Sequence, residues 1–140
     1  MKETRLALPH IAANFYKHPS DTLKTIGVTG TNGKTTITYI IERILKEAGE
    51  EAGVIGTINY RYKNTELPAK NTTPGSVELQ SILADMKANE VRYAVMEVSS
   101  HSLDQRRVDG IAFDAVIFTN ITSDHLDYHK TAARYFSAKK

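Results

Sequence analysis

The sequence predicts an α/β fold, a mostly parallel sheet with flanking helices. Three observations carry that reading. Short β-rich runs alternate with longer segments of helical periodicity, the pattern of a parallel sheet covered on both faces. One β-run feeds directly into the glycine loop "TGTNGKTT", Thr29 to Thr36. Polar clusters ("GTNGKTT", "SSHS", "NITSDHLDYH") follow three of the runs, at the carboxyl ends of strands where ligands bind in such sheets.

The elements follow in order. Leu6 to Tyr16 is a short apolar-periodic helix that stops near "HPS". Thr25 to Thr29 is a strand. Thr35 to Ala48 is a helix with Ile37, Ile40, Ile41, Ile44, Leu45 and Ala48 along one face, stopped by Gly49. Gly53 to Ile58 is a second strand. "NYRYKNTELPAKNTTPG" is turn-rich and reads as a hairpin followed by a loop. Ser76 to Ala88 is a helix whose inner face carries Leu79, Ile82, Leu83 and Met86. Tyr93 to Val98 and Ala115 to Thr119 are further strands.

Composition narrows the function. At 140 residues, one domain is expected, and 41% hydrophobic with 24% charged residues fits a globular protein. The absence of cysteine excludes disulfides and thiolate metal sites and fits a reducing compartment. A net charge of +2 without a Lys/Arg block gives nucleic-acid binding no support. No signal peptide or membrane span is legible, so the cytoplasm is the expected location.

In the loop, glycines let backbone N–H groups turn toward phosphate oxygens, and the following helix points its positive end at the same place. Lys34 can reach terminal phosphates and Thr35 can hold Mg²⁺. The alternative is a tight turn with an incidental lysine, but the strand before and the periodic helix after are the context a phosphate loop requires. The spacing is unusual. Only Thr31 and Asn32 separate Gly30 from Gly33, where the common P-loop has four residues. Glu97, ending an apolar strand on the same sheet edge, suits a hard cation, the alternative being an exposed strand-end carboxylate. Asp124, His125, Asp127 and His129 could be ligands or solvated loop residues, and spacing does not choose among them. Lys139 and Lys140 read as a solvated helix end.

Together the motifs resemble the central ATPase domain of the Mur ligases, the ATP-dependent amide-forming enzymes of peptidoglycan synthesis, and "GTNGKTT" resembles that family's own form of the P-loop. "KNTTPGSVELQ", "AVMEVSSHSLDQRRV" and "FTNITSDHLDYHKTAARYFSAKK" resemble its tripeptide-synthetase (MurE-type) branch. Folylpolyglutamate synthases of the same superfamily resemble it less. The likeness implies that Gly30, Thr31, Asn32, Gly33, Lys34, Thr35 and Thr36 bind ATP. It implies that Thr35 and Glu97 hold one Mg²⁺ and that His125 helps hold a second. Asn71, Thr72, Thr73, Ser99, Gln105 and Arg107 would contact UDP-N-acetylmuramoyl-L-alanyl-D-glutamate. Lys139 matches a lysine that the family carries as a carbamate metal ligand, and Lys34, His125 and Lys139 are its catalytic candidates. The implied reaction forms an acyl phosphate, which the amine of an amino acid then displaces.

Residues 1–24 are expected to be a lead-in helix and linker, and 25–140 a central ATP-binding domain truncated at its C-terminal end. The uridine-binding and amino-acid-selecting domains of a complete ligase have no counterpart here, and a separate chain could carry them. The sequence therefore also admits a nucleotide-binding module, an inactive remnant without ligase activity, or a different Mur or folylpolyglutamate-type ligase. Truncation is expected to expose an apolar face or an unpaired strand edge. Lys139, one residue from the end of the chain, is expected to fray and stay unmodified.

Overall fold

The computed structural model describes residues 4–122 and 124–139. Among these, six strands form one sheet: β1 (Lys24–Thr29), β2 (Ala52–Ile55), β3 (Asn59–Tyr62), β4 (Thr65–Pro68), β5 (Tyr93–Glu97) and β6 (Ala115–Phe118). Their order is β4-β3-β2-β5-β1-β6. The four strands β2, β5, β1 and β6 are parallel, and β3 and β4 add an antiparallel hairpin at one edge. The mostly parallel sheet and the hairpin are as the sequence predicts.

Side chains alternate across the parallel strands. Ile55, Ala94 and Met96 pack in one buried cluster with Leu79, Ile82, Leu83 and Met86 of the helix α3 (Ser76–Ala88), the inner face read from the sequence. Val54, Val95 and Val28 point the other way and are fully buried, on the face where α2 (Lys34–Glu47) packs on β1, β2 and β5. Glu97 continues that alternation, so β5 delivers its carboxylate to the α2 side.

Two helices bury less of their apolar stripe than the pattern implies. Thr38 is the one fully buried residue of α2; Ile40 and Ile44 are exposed. The helix α1 (Thr4–Phe15) packs on α3 through Pro9, Ala12 and Ala13 and leaves Leu8, Ile11 and Phe15 outside, because close approach selects its small residues. The expected apolar edge is present at β6, where Val116 and Phe118 are exposed.

Two short helices were not legible in the sequence, α4 (Ser100–Asp104) and α5 (Leu126–His129), while α6 (Ala132–Ala138) was read only through its end at Lys139. Ser99 caps α4 by accepting the Ser102 N–H, and Thr131 caps α6 by accepting the Arg134 N–H. The reading of Lys139 as a solvated helix end is corrected here. Lys139 follows α6 and is 8% exposed, because Tyr135 docks α6 onto the glycine loop, its hydroxyl 2.8 Å from Thr31 Oγ1. Lys140 lies outside the described residues.

Candidate active site

The parallel strands end on one side of the sheet, and the candidate residues gather there. β1 runs into the loop and α2 begins at Lys34 with Gly33 as its N-cap. Gly33 has φ +86° and no side-chain cap, so the first-turn N–H groups of α2 keep no intrahelical partner. Gly30 has φ +142°, and a Cβ there would lie 2.0 Å from Thr119 Oγ1. Both positions require glycine.

Thr31 and Asn32 are occupied otherwise than as open phosphate donors. The Thr31 N–H donates to Asn120 O and the Asn32 N–H to Asn120 Oδ1, while Thr31 Oγ1 bonds Tyr135 and Thr122. The N–H groups left without a helix carbonyl are those of the first turn of α2, beginning at Lys34.

Two lysines share one carbonyl. Lys34 Nζ donates to Gly30 O and Thr31 O, both at 2.9 Å, and Lys139 Nζ donates to Gly30 O at 2.7 Å. Burial lowers the Lys34 pKa, opposed by the charges of Glu97 and Asp124. Burial, then repulsion by Lys34, pushes Lys139 down to about 8.

Glu97 is 1% exposed, which removes the reading of a solvated strand-end carboxylate. Its Oε1 accepts from Thr35 Oγ1 at 2.9 Å and from the Thr57 N–H at 3.0 Å, and its Oε2 accepts from Thr57 Oγ1 at 3.0 Å. A buried carboxylate beside the hydroxyl of a phosphate loop fits Mg²⁺, which favours one or two carboxylates with substrate phosphates and water. Among the described residues, no three His, Cys, Asp or Glu side chains group closely enough to hold a metal alone. Glu97 also sits against Gly56, where a Cβ would meet Oε1 at 2.5 Å. Gly56→Ala is expected to push the carboxylate off Thr35 and Thr57. It should cost about 1–3 kcal/mol of stability and weaken Mg²⁺-dependent binding. Equal urea midpoints and Mg²⁺ dependence in variant and wild type would refute this geometry.

The six residues implied as substrate contacts meet around the same strand ends. Thr73 is fully buried, its Oγ1 donating to Glu97 O and accepting the Ser99 N–H. Thr72 Oγ1 lies 3.1 Å from Thr57 Oγ1, and Asn71 exchanges bonds with the Tyr60 hydroxyl. Arg107 donates through Nη1 to Thr73 O and through Nε and Nη2 to Gln105 Oε1. Five N–H groups less these three leave it two donors. Thr73 thus serves as scaffold, while Arg107 retains donors for a ligand.

His125 stands a step away from the loop. Its ring packs edge-on against His101 and Tyr135, and Nε2 lies 3.5 Å from Asp124 Oδ2. His129 is buried on Ser100 Oγ at 3.0 Å, a packing position. Burial and then the neighbouring His125 lower the His101 pKa. Sequence reasoning missed Thr57, Asn120 and Tyr135. Thr57 follows β2 at a strand's carboxyl end, a position that could have drawn notice; Tyr135 has no local signal. Open clefts lie elsewhere, among them one lined by Glu42, Glu50, Arg61 and Lys63 and another by Asp104, Tyr128, His129 and Arg134, so chemistry rather than depth marks this site.

Known proteins resemble this chain in sequence and fold. Residues 28–140 match the Mur ligase middle domain. The chain is 51% identical over 137 residues to the UDP-N-acetylmuramoyl-L-alanyl-D-glutamate–2,6-diaminopimelate ligase of Geobacter sulfurreducens, covering 98% of this chain and 27% of that protein. It is likewise 51% identical over 139 residues to the ligase of the same name from Clostridium tetani, covering 99% of this chain and 29% of the other. A solved structure of a ligase of that name superposes on 94% of this chain and 28% of its own, with a TM-score of 0.82 and 31% identity. Escherichia coli FolC, solved with DHPP and ADP, shares the fold at a TM-score of 0.68 and 22% identity, over 97% of this chain and 38% of its own. The chain therefore spans under a third of the length of the relatives it matches, and through this middle domain it belongs to the Mur ligase family.

Proposed function

We propose that this chain supplies the phosphate-handling part of an ATP-dependent ligase that adds an amino acid to UDP-N-acetylmuramoyl-L-alanyl-D-glutamate. The observation that carries the reading is the convergence of Lys34, Thr35, Glu97 and Lys139 on one loop at the head of α2. The N–H groups of Gly33 to Thr36 and the positive end of α2 bind the phosphates. Lys34 exchanges the carbonyls of Gly30 and Thr31 for phosphate oxygens. Thr35 and Glu97 would hold Mg²⁺, which neutralises charge on the transferring phosphoryl group when bound. Arg107, held by Gln105 and Thr73, pairs its remaining donors with a substrate carboxylate, the group that takes up the phosphoryl. The names of the relatives favour 2,6-diaminopimelate as the incoming amino acid.

The test is phosphate release by a ligase containing this chain with its flanking domains. Release should require both the muramoyl dipeptide and the amino acid. ATP hydrolysis indifferent to either would refute the ligase reading. A second reading, a nucleotide-binding module without ligase activity, draws on the loop and its cation site alone. Mg·ATP binding by the chain, with no dipeptide-dependent turnover when the flanking domains are added, would favour that module.

A further inference from the structure

The unusual glycine spacing leaves a structural question that Asn120 answers. The loop between Gly30 and Gly33 has two residues, and both their N–H groups are bonded within the protein. Asn120, in the segment after β6, takes them. Its backbone O accepts the Thr31 N–H at 2.9 Å. Its carboxamide pairs with a single residue, Oδ1 accepting the Asn32 N–H at 3.1 Å and Nδ2 donating to Asn32 O at 3.1 Å. Thr119 Oγ1 adds a second donor on Asn32 O at 2.6 Å, and the Thr122 N–H donates to Thr31 Oγ1 at 3.0 Å.

A carboxamide carries the same donor and acceptor as a peptide unit, so it can close a two-bond ring on one residue's N–H and C=O. An aspartate lacks the donor, and a glutamine places the amide one methylene too far. We propose that Asn120 is the positioning residue of the phosphate loop: its side chain replaces the loop's missing length, holding residues 31 and 32 back so that the amides of Gly33 to Thr36 face the nucleotide. This rests on the reading of that loop as a phosphate site.

The experiment uses the 140-residue chain, with Mg·ATP titrated by calorimetry and amide hydrogen exchange followed by NMR in its absence. Asn120→Ala should weaken Mg·ATP binding about tenfold, the scale of losing two exposed hydrogen bonds that order the loop. Exchange at Thr31 and Asn32 should accelerate while amides of β1 and of the rest of α2 stay as protected as before, a local pattern that general destabilisation does not give. Should Asn120→Ala fail to fold, Asn120→Asp, which keeps only the acceptor, decides by the same two measures. No binding by the folded wild type would overturn the phosphate-loop reading itself. Wild-type binding with an unchanged affinity and unchanged exchange in the variant would overturn the role of Asn120 alone.

Discussion

Lys34→Ala is expected to abolish phosphoryl transfer in the complete ligase while leaving the fold intact. The ammonium is held at the loop on the carbonyls of Gly30 and Thr31, and removing a preorganised charge from a transition state costs on the order of 10²–10³ in turnover. Its native partners are the carbonyls of Gly30 and Thr31, both of the loop itself, so truncation removes two local bonds and no core contact. It also removes a cation from beside Lys139, whose pKa burial and then Lys34 hold down. These effects oppose each other, and the midpoint of thermal unfolding should move by no more than a few degrees. Steady-state phosphate release and a melting curve on the same preparation check both parts. Turnover within about tenfold of wild type would remove Lys34 from the proposed mechanism.

The β1–loop–α2 unit was legible because everything that defines it is local. A β-run, glycines needing positive φ and a helix of strong periodicity follow one another within a few turns of chain. The same holds for α3, whose Leu79, Ile82, Leu83 and Met86 are all buried. The stripe of α2 was legible as a pattern but not as a burial, since Ile40 and Ile44 lie outside while Thr38 is inside. Periodicity states which residues share a face and is silent on what covers it. The helix α4 and the start of α6 are announced only by a capping Ser or Thr, a signal common in loops as well. The site divided in the same way. Glu97 could be placed at a strand end, but its burial depends on Thr57 and Thr35 arriving from two other elements. Thr31 and Tyr135 are 104 residues apart, and no local pattern links them.

Lys139 is where that long-range docking changes the forecast most. The expectation that it frays and stays unmodified rests on a lysine without fixed partners, whereas here it is buried, bonded to Gly30 O and set 5.0 Å over the Tyr135 ring. With a pKa of about 8 instead of 10.5, about a tenth of the amine is neutral at pH 7, against about one part in three thousand for a free lysine. The neutral amine, left when the ammonium gives up a proton, attacks the carbon of CO₂; the N–C bond forms as a C=O π pair moves to oxygen and a second proton leaves the nitrogen, so that overall a cation becomes an anion. Repulsion by Lys34 then becomes attraction, so the same neighbour that lowers the pKa favours the product. The expected result is a carbamate resonance from the 140-residue chain in carbon-13 NMR with labelled bicarbonate, lost in Lys139→Ala. Its absence near pH 8 from a folded chain would overturn the forecast. In the complete ligase, Lys139→Ala should cause a large loss of turnover, partly restored by short carboxylic acids. Stability supplies an independent check. Between about pH 8 and 10.5 the folded chain has released this proton and the unfolded chain still holds it, so in the absence of CO₂ stability should rise with pH across that window. Below it, the buried charge costs a constant amount. Lys139→Met should flatten the rise, and an identical slope in variant and wild type would show that Lys139 titrates as an ordinary surface lysine.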